Sequence, residues 1–183
     1  DVVQTALLNG ITTIEVGAEG GDQAFADAYR AAVDQHPEIA DSKIEVMQRI
    51  GYRIDDSTSF PNDVKQPDGV LHNLSPDYIQ HVLHESAVTK LTEYYSMSFT
   101  PMLHNPEAQT DSQLVHVLKD AFVTLEEWCK TRPQDHVYGI TSNGLSLPKL
   151  HALHLDFNVV MNAVEQATTS LESSPSAFQV IQL

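Results

Sequence analysis

The sequence predicts an α/β domain built on a parallel sheet. Three observations carry this reading. Short β-branched runs alternate with longer amphipathic blocks along the chain. One helix-length block separates most runs from the next, which is the pattern of right-handed βαβ units. The 183 residues, 42% of them hydrophobic and 19% charged, suffice for one domain with a substantial core.

Residues 11–16 (ITTIEV) are β-branched and end at Gly17, so they read as a buried strand followed by a turn. Residues 21–34 carry Ala24, Phe25, Ala28, Ala31 and Ala32 at helical spacing, and residues 43–51 (KIEVMQRIG) form a second strand. Residues 53–74 break the alternation with Asp, Ser, Pro and Asn and read as an inserted surface loop. A helix over 75–93 opens on Ser75-Pro76, an N-cap followed by Pro at the first helical position. A strand at about 97–104 precedes the clearest helix, 111–130, where Leu114, Val117, Leu118, Ala121, Phe122, Leu125 and Trp128 share one face. Residues 136–141 make a fourth strand. A last helix spans 151–172, with Leu153, Phe157, Val160, Met161, Val164 and Leu171 inward, and Phe178–Leu183 reads as a fifth strand. A closed barrel needs eight strands and typically about 250 residues. On counting alone the five strands favour a doubly wound open sheet over a (β/α) barrel.

Charge excludes some functions. With 10 Lys+Arg against 25 Asp+Glu the net charge is −15, which argues against binding a nucleic-acid backbone or an anionic membrane surface. No apolar run approaches the roughly 20 residues of a membrane helix. The single cysteine, Cys129, excludes an internal disulfide and a cysteine-based zinc site, and fits a reducing, intracellular compartment, whether cytoplasm, mitochondrion or plastid. The chain opens at Asp1 with no signal or transit segment, so either a leader has been removed or the sequence is a piece of a longer one.

Several residue patterns invite a chemical reading. Gly17-Ala18-Glu19-Gly20-Gly21 lies between a strand and a helix, where phosphate turns occur, but G-x-x-G-G is not the dinucleotide fingerprint and Glu19 would repel a phosphate. His81 and His84, beside Glu85, and His151 and His154 are each three apart on expected helices, but neither pair has an identifiable third ligand, so both read as solvent-facing histidines. The strand ends are more informative. Glu15, Arg49, His104, Ser142, Asn143 and Gln182 sit at or just beyond the carboxyl ends of five strands, the end at which parallel α/β folds place their sites. A Glu15–Arg49 ion pair is equally consistent with a purely structural role.

Four segments together resemble the aldo-keto reductases. Phe99-Thr100-Pro101-Met102-Leu103-His104-Asn105-Pro106-Glu107 is similar to their fourth-strand segment, and Tyr138-Gly139-Ile140-Thr141-Ser142-Asn143-Gly144 to the fifth-strand motif. Ser75-Pro76-Asp77-Tyr78-Ile79 resembles the helix start before the fourth strand, and Phe178-Gln179-Val180-Ile181-Gln182 the sixth strand. Order and spacing agree across most of residues 5–183. The resemblance implies a single, partial (β/α)8 TIM-barrel domain over 1–183 that supplies strands two to six.

The resemblance further implies NADP(H) and the reduction of a small carbonyl. In that family a tyrosine gives the proton, a lysine paired with an aspartate lowers the tyrosine's pKa, and a histidine orients the carbonyl. The histidine carries over as His104, while the aspartate position falls on Glu15, the lysine position on Arg49 and the tyrosine position on Gly20. Glycine has no proton to give, arginine does not exchange one as lysine does, and Tyr29 lies too far along the following helix to substitute. Ser142, Asn143 and Gln182 match the contacts to the nicotinamide carboxamide. The implied protein is a catalytically degenerate relative, acting with other protein subunits as a structural or accessory component. The alternative is an active NAD(P)H-dependent oxidoreductase in which His104 gives the proton and Glu15 and Arg49 tune it.

Overall fold

A computed structural model of the chain describes residues 2–17, 20–54, 59–109, 114–132, 136–172 and 175–183. Helix α1 (Val2–Leu8) precedes strand β1 (Thr13–Val16), and α2 (Gly21–Gln35) leads to β2 (Ile44–Ile50). Three short strands follow, β3 (Tyr52–Arg53), β4 (Val64–Lys65) and β5 (Leu71–His72). Then come α3 (Pro76–Glu85), α4 (Ala87–Leu91), β6 (Met97–His104), α5 (Leu114–Lys130), β7 (Tyr138–Thr141), α6 (Phe157–Ser170) and β8 (Phe178–Gln182).

Strands β1, β2, β6, β7 and β8 form one parallel sheet in that order. The order follows the chain and never reverses, which distinguishes the sheet from a doubly wound one. Right-handed crossovers that always step the same way leave their helices on one face. The helices accordingly form a row: α1 against α2, α2 against α4, α3 against α4 and α5, and α5 against α6. Strand β2 shows the consequence for its side chains. Ile44, Val46, Gln48 and Ile50 are buried toward the helices, while Glu45, Met47 and Arg49 alternate onto the other face and stay half-buried. The core fills the space beneath the helices with Phe25, Tyr29, Phe99, Phe122, Leu125 and Ile140. Each such side chain, fully buried, contributes about 1.5–3 kcal/mol.

The sheet curls away from the helices. Gln182 Nε2, on β8, donates to Glu15 Oε2, on β1, at 3.3 Å, although these are the two outer strands. Four flat inter-strand spacings of about 4.8 Å would hold them about 19 Å apart, beyond the reach of the two side chains. Met102, on the concave face in register with Arg49, is 0% exposed.

Several expectations need correction. The helix expected over 75–93 breaks at Ser86, whose hydroxyl accepts from Val88 N to cap α4 and donates to Gln48 Oε1 at 2.7 Å. Helix α6 starts at Phe157, not at residue 151, because Asp156 caps it by accepting from Asn158 N. His151 and His154 therefore lie in the preceding turn. On α6 the buried stripe is Val160, Ala163, Val164 and Ala167, and Phe157 and Met161 face outward with Leu153. On α2 the inward stripe is Phe25, Ala26, Tyr29 and Ala32, so Ala24 and Ala31 are exposed. Residues 53–74 are not simply a surface loop. Strands β3, β5 and β4 form an antiparallel sheet, and Arg53, His72, Asn73 and Leu74 are buried. Its hub is Asp63, which accepts from Arg53 Nη1 at 2.9 Å, Asn73 Nδ2 at 2.8 Å and Phe60 N at 3.3 Å. Turn residues dominate that stretch and hide strands only two residues long.

The last strand is tied down by a buried carboxylate. Glu126 of α5 accepts from Tyr138 Oη at 3.0 Å, from Ala177 N at 3.0 Å and from Ser176 Oγ. Burial and this carboxylate together raise the pKa of Tyr138, which stays a phenol. Where β7 meets β8 the strands touch closely, because a Cβ on Gly139 would stand 2.3 Å from Val180 O and 2.9 Å from Met102 Sδ. Gly139→Ala is therefore expected to destabilise the fold by about 2–3 kcal/mol, read as a lower urea midpoint at unchanged slope.

Candidate functional site

The carboxyl ends of the five parallel strands form a polar mouth. Glu15 stands next to last in β1 and Arg49 next to last in β2. Both side chains lie on the concave face, because Glu15 pairs in register with Met47, two residues before Arg49. Arg49 Nε donates to Glu15 Oε1, and the two side chains remain about a third exposed. The other Glu15 oxygen takes the Gln182 amide. One carboxylate thus joins β1, β2 and β8. The remaining amide oxygen of Gln182, Oε1, is buried and has no hydrogen-bond partner.

His104 closes β6 between these groups. Its Nδ1 is also buried without a partner. Its ring is a neutral imidazole at pH 7, because burial first, then the Arg49 charge and then His72, push the pKa down to about 4, against a weaker pull from Glu15. A second histidine supports it from behind. His72 is fully buried, and its Nε2–H donates to His104 O at 2.8 Å, since a carbonyl can only accept. Its Nδ1 then accepts from Gln109 Nε2 at 2.8 Å, so one tautomer satisfies both contacts. Burial lowers the pKa of His72 as well. Tyr52 stands edge-on to both rings, with centroids 4.7 Å from His72 and 5.0 Å from His104. Gly51 admits this packing, since a Cβ there would lie 2.7 Å from His104 O and 2.8 Å from His72 Nε2.

The loop after β7 is built differently. Ser142 is buried, and its hydroxyl donates to Glu107 Oε2 at 2.8 Å while accepting from Leu145 N. Glu107 Oε1 takes Gly144 N at 2.7 Å, so this carboxylate clamps the loop. Asn143 donates its backbone N–H to Asn105 Oδ1 and its side chain is exposed. Of the six residues singled out in the sequence, Glu15, Arg49 and Gln182 are hydrogen-bonded together, and His104 feels the charges of Arg49 and Glu15. Ser142 is held by structural partners.

Gly20 is the N-cap of α2, in left-handed backbone (φ 81°), and a Cβ there would meet nothing within 4 Å. It lines a cleft that runs from Arg49 along α3 past Phe60 and His81. Residues Ala18 and Glu19 of the glycine turn lie outside the described residues. Tyr29 is a core residue against Phe25 and Tyr95, well away from the mouth's hydrogen bonds. Among the described residues no group of three metal-ligating side chains exists, and Glu85 is held by Lys90 at 3.0 Å. Sequence reasoning missed Tyr52, His72, Gln109 and Glu107. The first two lie in or beside the stretch read as a loop, although Tyr52 follows the strand end at Gly51 directly.

The histidine pair gives a pH signature. Both rings have folded-state pKa values below the ordinary 6.5. The unfolded chain therefore binds more protons between those values, and stability present above about 6.5 is lost as pH falls toward 4. Denaturation free energies measured across that window should fall with pH, and His104→Gln should flatten the decline.

No family model, curated protein or solved structure matches the chain.

Proposed function

We propose that this chain is an aldo-keto-reductase-like (β/α) barrel segment that has lost the acid for carbonyl reduction and serves as a structural or accessory subunit of a larger assembly. The observation that carries the reading is Gly20. Where the resemblance calls for a phenol, the chain has a left-handed glycine beside open space. Neither neighbour replaces the acid. Arg49 keeps its proton throughout the accessible pH range. With a pKa of about 4, His104 is protonated in about one molecule in a thousand at pH 7.

The architecture supports the same reading. Strands added in one direction, helices on one face and a curled sheet are the features with which a (β/α)8 barrel is built. The outer strands β1 and β8 each have one unpaired edge within this sheet. Such edges call for a partner surface, and other protein subunits are the partners proposed.

Part of a nicotinamide site fits the residues present. A carboxamide carries one acceptor and one donor group. The buried, unpartnered Gln182 Oε1 and the exposed Asn143 amide would hold such a group, whereas the Ser142 hydroxyl is engaged by Glu107. Bound NADPH would supply a hydride. His104, neutral and with a buried free nitrogen, would orient a carbonyl rather than protonate it. A second reading, an active reductase, is favoured by one observation: Tyr52 brings a phenol-bearing ring to 5.0 Å from His104, from β3 rather than from the turn after β1.

An assay of the purified protein with NADPH and a panel of aldehydes and ketones separates the two. The expected outcome is turnover no higher than that of His104→Ala. Turnover well above that control, and abolished in Tyr52→Phe, would establish the second reading.

A further inference from the structure

The cleft beside the mouth contains four charged side chains close together, Asp22, Arg49, Arg53 and Glu85. Three of them are committed to partners within the chain. Asp22 Oδ2 accepts from Ala87 N at 3.1 Å. Glu85 pairs with Lys90. Arg53 is 2% exposed and donates to Asp63. Arg49 differs. Its Nε is fixed on Glu15, and no protein acceptor among the described residues reaches its Nη1 or Nη2. A guanidinium held by Nε has one orientation and presents its two terminal N–H groups as a preformed fork.

The surroundings define what that fork would take. Phe60 gives one wall an aromatic face, with the Arg53 guanidinium 5.1 Å from its centroid and His81 5.3 Å away. His81 is exposed and makes no hydrogen bond among the described residues. The charges on the cleft balance, Arg49 and Arg53 against Asp22 and Glu85, so selection for an anion rests on the open Nη1/Nη2 edge of Arg49 rather than on net charge. We infer that the cleft is a binding site for a small carboxylate, with the carboxylate on the Nη1/Nη2 edge of Arg49 and the adjoining carbon chain against Phe60. For a carbonyl compound entering the mouth, this assigns the oxo acids as the class, with the carbonyl toward His104 and the carboxylate toward Arg49. The site belongs to the same mouth as the proposed function but does not depend on a bound dinucleotide.

The test is ligand-observed NMR titration of the full chain with pyruvate, without NADPH, against methyl pyruvate as the neutral control. Saturable pyruvate binding at least about tenfold tighter than the ester is expected, the size of one charge-assisted contact. Arg49→Gln should weaken pyruvate binding about tenfold or more. Because that change also strands Glu15, Glu15→Gln serves as a second variant with the opposite sign. Removing the competing carboxylate while keeping the fork should tighten pyruvate binding. Equal binding of acid and ester, no saturable binding by the wild-type chain, or the same affinity in the wild type and Glu15→Gln would each overturn the site. The accessory-subunit reading would stand in all three cases, since it rests on turnover with NADPH.

Discussion

A parallel sheet that grows in one direction must carry all its helices on one face, and most of this molecule follows from that constraint. The covered face becomes the core. The bare face cannot remain flat and apolar in water, so it curls and is lined with Thr100, Glu45, Arg49 and Gln182 beside its methionines. Curling brings the two outer strands within side-chain reach, and Glu15 registers it by holding Arg49 with one oxygen and Gln182 with the other. The mouth is therefore a by-product of topology, and its residues are those that a curled, one-sided sheet places at its strand ends.

Electrostatics at the mouth are nearly balanced. Glu15 offsets Arg49, Asp63 offsets Arg53, and His104 is kept neutral by burial and by the nearby guanidinium. Polar capacity without net charge suits holding a ligand in one orientation more than transferring protons to it. The two orphaned atoms, His104 Nδ1 and Gln182 Oε1, are the places where the balance is incomplete. Buried polar atoms without partners cost about 1–3 kcal/mol each, and a ligand that met them would recover that cost.

The long amphipathic stretches were legible in the sequence because periodicity reports burial directly. Helix α5 and the strand ending at His104 lie where their patterns place them. The start of α6 was not, since Leu153, Phe157 and Met161 mimic an inward stripe while the true one is made of alanine and valine. Glu15, Arg49, His104 and Gln182, at the strand ends on the concave side, could be found from polarity at strand termini. Their second layer could not. His72, Gln109 and Glu107 act through contacts 30 or more residues away in sequence, and no local pattern encodes those distances. The short strands of 52–72 were hidden by the same turn residues that shape them.

Strand order also has a consequence for how the chain is made. Each strand of the main sheet pairs with the one synthesised before it, so the sheet can extend as the polypeptide emerges, without waiting for distant partners. The docking of β8 on Glu126 reaches back about 50 residues, to a helix already complete by then. The contact between Glu15 and Gln182 is different, because it spans 167 residues and forms only after β8 is in place. Until that moment Arg49 and Glu15 face each other across an unfinished mouth, and the polar site takes its shape after the four main-sheet strands that precede β8.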